Sequence, residues 1–110
     1  MVTWLSETAR RVYIAFREGG YLRDPHAAIR QVERGITDDK VEAAIGRDVP
    51  EIIENAAHYW KGPAILIRGE VGAQVLHIFC TIEEPILFVT CYEPDPKRWY
   101  PGFRERRRGP

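Results

Sequence analysis

The chain is poor in the residues that mark the commonest catalytic chemistries. It has two cysteines, Cys80 and Cys91, and one methionine. Two cysteines without CxxC spacing exclude a cysteine-built zinc site. There is no glycine-rich phosphate loop, no GxSxG elbow, and no carboxylate and histidine spacing for a metal. Neither metal nor cofactor is therefore expected. No apolar run approaches the ~20 residues of a membrane span. The opening residues, MVTWLSETARR, mix acids with bases and contain no apolar signal region. The expectation is a cytoplasmic protein without membrane association. Net charge is lacking too, with 16 basic and 16 acidic residues.

What is present fits one globular domain. Apolar residues make up 45% of 110, enough for a modest core. The zero net charge hides an asymmetry. Residues 97–110 carry six basic groups (Lys97, Arg98, Arg104, Arg106, Arg107, Arg108) and one acid, Glu105, a local charge of +5. The remainder holds ten basic and fifteen acidic groups, a charge of −5. The division reads as a single domain over 1–96 and a basic, aromatic tail over 97–110. A terminal basic run is ordinarily solvated charge. Here Trp99, Tyr100 and Phe103 are interleaved with it, and it leaves directly from a strand, which points to a binding segment.

Three helices are expected, then strands. Leu5, Ala9, Val12, Tyr13 and Phe16 fall on one face of a 3.6-residue period, so 5–18 reads as a helix ended by Gly19 and Gly20. Asp24 and Pro25 suit the cap and first position of a second helix, closed by Gly35. Its expected solvent side holds His26, Arg30, Glu33 and Arg34, opposite Ala28, Ile29 and Val32. Thr37 caps a third, short helix that stops at Gly46, with Ile36 and Val41 at the spacing of a hydrophobic staple. Weak strand signal covers 51–53. Strong signal covers 63–70, 74–82 and 85–93, rich in β-branched and aromatic residues. The predicted architecture is α+β: N-terminal helices packed on one face of a small antiparallel sheet.

Placing Val71-Gly72 and Glu83-Glu84 in the turns sets the register. Arg68 then lies opposite Val75, and His77 opposite Thr90. One face holds Ile65, Ile67, Leu76, Ile78, Cys80, Ile82, Leu87, Val89 and Cys91, to be covered by the helices. The other holds Leu66, Arg68, Val75, His77, Phe79, Phe88, Thr90 and Tyr92, and is expected to be partly open. Cys91 pairs with Leu76, four residues from Cys80, about 13 Å along the strand. A disulfide needs Cα atoms within about 7 Å, so both thiols are expected to be inert and buried.

His77 is the most informative single residue. A histidine in an apolar strand is most often a packing residue with one hydrogen bond. Its neighbours here would be Arg68, Thr90 and Tyr92. Histidine exchanges protons near neutral pH, arginine stabilises an anionic phosphorane, and tyrosine orients or donates. These are the parts of a metal-free ribonuclease. His26 stands at a helix N-terminus, where a charged imidazole is disfavoured, and is a further proton acceptor. His58 falls in a loop and has no assigned role.

The stretches DPHAAIRQVERGITDDKVEAAI and RGEVGAQVLHIFCTIEEPILFVTCYEPDPKRW resemble the small bacterial family known as domain of unknown function 4258. The resemblance runs from about 24 to 99, through His26, Ala27, Glu33, Arg34, Gly35, Ile36, Leu76, His77, Tyr92, Glu93, Pro94, Asp95 and Trp99. It departs at Gln31-Val32, where the family has Arg-Met, and does not include the first helix. That family is grouped with RelE, BrnT and MqsR-like toxins. The resemblance implies a RelE-like fold and a toxin-like endoribonuclease paired with an antitoxin of zinc-finger or helix-turn-helix type. Together these considerations point to metal-independent RNA cleavage by His77, Arg68 and Tyr92, with His26 and Arg34 approaching from the helix. RNA would be held by Lys97, Arg98, Trp99, Tyr100 and Arg104, with Trp99 and Tyr100 stacking on bases. The alternative is a non-catalytic protein-binding module, with Arg98, Trp99 and Tyr100 as interface anchors, or a small domain that homodimerises.

Overall fold

The computed structural model describes residues 4–46 and 50–108, with side chains from residue 7 onward. Leu5 of the expected apolar stripe and 109–110 of the tail lie outside the described side chains. Among the described residues three helices precede four strands, with one very short strand between the first two helices. α1 is Trp4–Glu18, β1 Leu22–Arg23, α2 Pro25–Arg34, α3 Asp38–Ile45, β2 Glu51–Ala56, β3 Ala64–Val71, β4 Gln74–Thr81 and β5 Leu87–Tyr92. The class is α+β, with the helices N-terminal to the main strands.

The helix boundaries follow from local chemistry. Asp24 accepts from the His26 amide at 2.9 Å and Pro25 opens α2 where no donor is needed. Gly35 ends it at φ 64°, a left-handed conformation that glycine adopts without penalty. Thr37 caps α3 by accepting from the Lys40 amide at 3.2 Å. Ile36 and Val41, the expected staple, are both buried.

One expectation for α2 reverses. Ala27 and Gln31 form its buried side, whereas Ile29 is 56% and Val32 85% exposed. The small Ala27 lets the helix approach β5. The buried Gln31 Nε2 donates to Ile36 O at 3.1 Å and Asp38 Oδ1 at 2.8 Å, tying α2 to the start of α3.

The sheet order is β1-β5-β4-β3-β2. β1 runs parallel to β5, so the sheet is mixed where a purely antiparallel one was expected. Two residues with no alternation carry too little signal to be read as a strand. The β3–β4 hairpin turns at Gly72-Ala73, pairing Val71 with Gln74 and Arg68 with His77. This is two residues from the expected register, an even shift, so every side chain keeps its face. Cys91 likewise lies opposite Ile78, two residues from Cys80, and both cysteines are free and buried.

Two bulges change faces. In β5 the register slips between Phe79–Thr90 and Cys80–Phe88. The extra residue turns Phe88 to the helix side, against Phe16 and Tyr21, instead of the open side where alternation had placed it. In β2 the slip falls between Ile52 and Glu54. Glu51 and Glu54 therefore both share the face of Arg68 and Leu66, although a spacing of three would otherwise divide them.

The helix-side core joins Val12, Phe16, Val41, Ala44 and Ile45 to Ile65, Ile67, Leu76, Ile78, Phe88 and Cys91. Gly69 makes the closest helix–sheet approach possible: a Cβ there would lie 1.6 Å from Ala44 O. The core thus occupies the face that the sequence assigned to it. Among the described residues no helix is long and apolar enough to cross a membrane.

Candidate functional site

The opposite face is not open. The chain leaves β5 at Tyr92, turns at 95–99 through the Arg98 and Trp99 amides donating to Asp95 O, and folds back over the sheet as a strap. The strap closes on itself: Tyr100 N donates to Glu105 O at 2.9 Å and Arg107 N to Arg98 O at 2.8 Å. It is also pinned to β2. Arg104 Nε donates to Glu51 at 2.5 Å, and Arg106 makes a two-point bond to Glu54 at 2.7 and 3.0 Å. The β2 bulge is what presents both carboxylates to these alternate arginines. Much of the charge asymmetry is thereby neutralised within the molecule.

Trp99 is the plug. It is 2% exposed, with its ring edge-on to His77 at 4.4 Å and the Arg106 guanidinium over it at 4.7 Å. Its faces are covered, so it is not free to stack on a base. This corrects the expectation for Trp99, and equally its use as an exposed interface anchor. A large indole gains more by packing against the His77 ring and under the Arg106 guanidinium than by projecting into water.

His77 is fully buried beneath this strap, not beneath α1. Its Nε2 lies 2.8 Å from Phe103 O. A carbonyl only accepts, so Nε2 carries the proton. Burial, the dominant influence, holds the imidazole below its ordinary value and neutral. Nδ1 is then an acceptor, and the Tyr92 hydroxyl, 3.3 Å away, donates to it. Burial also pushes the Tyr92 phenol up, keeping it protonated. Tyr92, His77 and the Phe103 carbonyl form a polarised chain that begins at the protein surface.

Arg68 stands beside His77 on the adjacent strand. It is 7% exposed; its Nε donates to Gly102 O at 2.6 Å, and Glu51 and Glu70 lie at 3.3 and 3.6 Å. The expected phosphate clamp is thus occupied at rest. Arg34 closes the C-terminal end of α2, and its guanidinium donates to Cys91 O at 2.7 Å. His26, eight residues earlier, is about 12 Å away along the helix and does not join the group.

Between the α2 end and the strap lies a groove of about 570 Å³. Arg34, Arg98 and Arg106 line it, together with Tyr92, Glu93 and Asp95. The structure therefore gathers Tyr92, Arg34 and Arg98 at one opening, with His77 behind Tyr92. Lys97 and Tyr100 are exposed nearby in the chain. Arg104 faces Glu51. Sequence reasoning assigned no role to Arg106, Glu51 or Glu54. The alternate arginines 104 and 106 were visible, but the bulge that aligns their partners was not. Among the described residues, no three His, Cys, Asp or Glu side chains gather closely enough to hold a metal ion.

Both cysteines stay apart from this chemistry. Burial pushes the Cys80 thiol up to about 12 and Cys91 up to about 11, so neither is a thiolate nucleophile at neutral pH. Comparison with known protein families, with curated proteins and with solved structures finds no match to this chain.

Proposed function

We propose that the protein is a cytoplasmic, toxin-like endoribonuclease that cleaves RNA without a metal, and that the groove beside Tyr92 is its active site. The observation that carries this is Tyr92, which lines a groove together with three arginines and has the buried His77 as its hydrogen-bond partner. Arg34 and Arg98 bind the phosphodiester, with Arg106 at the back of the groove. Tyr92 Oη accepts the 2′-hydroxyl proton while passing its own to His77 Nδ1. The freed 2′ oxygen attacks the adjacent phosphorus, the bond to the 5′ oxygen breaks, and that oxygen takes a proton from a water molecule that is reprotonated in turn from His77 through Tyr92. The products are a 2′,3′-cyclic phosphate and a 5′-hydroxyl. An acceptor at His77 Nε2, the place the Phe103 carbonyl occupies in this structure, supports the imidazolium that forms at His77. Lys97 and Tyr100 extend the RNA contact along the outer edge of the strap.

The RelE-like kinship belongs to this proposal. It is supported by the α+β layout with helices before strands, and by the resemblance through His26, Arg34, His77 and Tyr92. It brings an antitoxin of zinc-finger or helix-turn-helix type as the partner. A second reading, a non-catalytic protein-binding module, is favoured by the exposed Leu22, Ile29 and Val32 on β1 and α2. RNA incubated with the purified protein, alone and with ribosomes, separates the two. The enzyme leaves 2′,3′-cyclic phosphate ends and slows growth when expressed without an antitoxin. Intact RNA in both settings, with unimpaired growth, overturns the enzymatic reading in favour of the module.

A further inference from the structure

Arg68 and His77 are adjacent across β3 and β4, and each is more than nine-tenths buried. Their donors, Arg68 Nε and His77 Nε2, meet the carbonyl oxygens of two consecutive residues, Gly102 at 2.6 Å and Phe103 at 2.8 Å. Two oxygens held by a guanidinium and an imidazole are the pattern with which proteins hold a phosphate. Backbone carbonyls stand in that place here. The backbone that delivers them is unusual. Gly102 has φ 92° and Phe103 φ 59°, the sole non-glycine residue at positive φ among the described residues. A bulky residue in that region is strained. A segment serving only as cover needs neither the strain nor a buried guanidinium, since apolar residues cover a sheet face at least as well.

We propose that Arg68 and His77 form an anion subsite for an RNA phosphate next to the one in the Tyr92 groove, and that the strap fills this subsite at rest with the carbonyls of Gly102 and Phe103. The strap then acts as an internal stand-in for the nucleic acid. RNA entering the groove at Arg34 and Arg98 displaces residues 102–104, relieves the left-handed Phe103, and gains the Arg68 and His77 donors. The ion pair of Arg104 with Glu51 and the bridge between Trp99 and Arg106 set the resistance to opening. The assignment of RNA as ligand rests on the proposed function; the filled subsite rests on the geometry alone.

Phe103→Pro tests it, because proline fixes φ near −65° and also removes the Phe103 amide that donates to Tyr100 O at 2.9 Å. Arg104→Glu, which repels Glu51, opens the strap by a separate route should the first variant fold poorly. The probes are a 2′-O-methyl RNA hexanucleotide, which cannot be cleaved, and inorganic phosphate, with His77 titration followed by NMR. Opening the strap is expected to tighten binding of the hexanucleotide about tenfold, the weight of one charge-assisted hydrogen bond. It is also expected to raise the His77 pKa towards its exposed value, and adding Arg68→Ala removes the gain. Tighter binding without any cleavage of ordinary RNA sustains the subsite and sinks the ribonuclease reading. Tightening for inorganic phosphate alone sustains the anion subsite and removes RNA as its ligand. Unchanged binding of both probes in both variants, or a gain that survives Arg68→Ala, overturns the proposal.

Discussion

His77 and Arg68 face each other across β4 and β3 and donate to neighbouring carbonyls of one strap, Phe103 and Gly102. The pair ties the C-terminal segment to the centre of the sheet. It also fixes the imidazole tautomer, so that the Tyr92 hydroxyl has an acceptor behind it.

The first consequence is a pH dependence of stability. Burial depresses the folded-state pKa of His77 below its unfolded value near 6.5. A depressed imidazole contributes stability that is complete above the unfolded pKa and is lost as pH falls below it, because the unfolded chain then binds the extra proton. Urea midpoints should therefore decline from about pH 6.5 downward. The lowered carboxylates Asp24, Asp38 and Glu51 contribute their own loss only at lower pH, below their unfolded values near 4. His77→Gln should flatten the upper part of this decline and leave the lower part in place. An unaltered upper slope in that variant would assign the titration elsewhere.

The second concerns the helix-to-sheet contact at Gly69. An added Cβ would lie inside van der Waals distance of three backbone atoms of Ala44. No side-chain rotation relieves an overlap with backbone, so α3 must move. Gly69→Ala should cost about 3 kcal/mol or more in chemical denaturation, at the upper end for overpacking. A loss below 1 kcal/mol, within ordinary small effects, would mean that α3 sits farther from β3.

Much of the layout was legible beforehand because it is written locally. Asp24-Pro25, Gly35, Thr37 and Gly46 mark helix ends by caps and turns that need no tertiary partner. Alternation in 64–81 assigned faces correctly, and the register error of two preserved them. The misses share a cause. The β5 bulge moved Phe88, and the β2 bulge aligned Glu51 with Glu54; nothing in either strand announces the extra residue. The exposed Ile29 and Val32 were hidden because an amphipathic wheel for α2 has two plausible sides, and Ala27 with Gln31 won by permitting close packing. At the site, the grouping of His77, Tyr92 and Arg68 was readable from strand alternation. The strap that covers His77 and Arg68 was not, since its pairing with Glu51 and Glu54 spans about half the chain.

The third prediction concerns the salt dependence of RNA binding. Arg104 and Arg106 are engaged with Glu51 and Glu54, whereas Arg98 lines the groove. Arg98→Ala should lower the slope of log K against log salt by about 0.7, one phosphate contact on a single strand. An unchanged slope would remove Arg98 from the RNA path.

The proton path through Tyr92 is the centre of the proposed function, and Tyr92→Phe addresses it with the least disturbance. The ring stays edge-on to His77, as in the parent, where the centroids are 5.2 Å apart, and only the hydroxyl is lost. Single-turnover cleavage of an RNA oligonucleotide, read as 2′,3′-cyclic phosphate ends, should slow by about 100-fold or more, the weight of a positioned acid–base group. Binding of the 2′-O-methyl hexanucleotide and the circular dichroism spectrum should stay close to those of the parent. A Tyr92→Phe protein that cuts RNA at the parent rate would contradict the account.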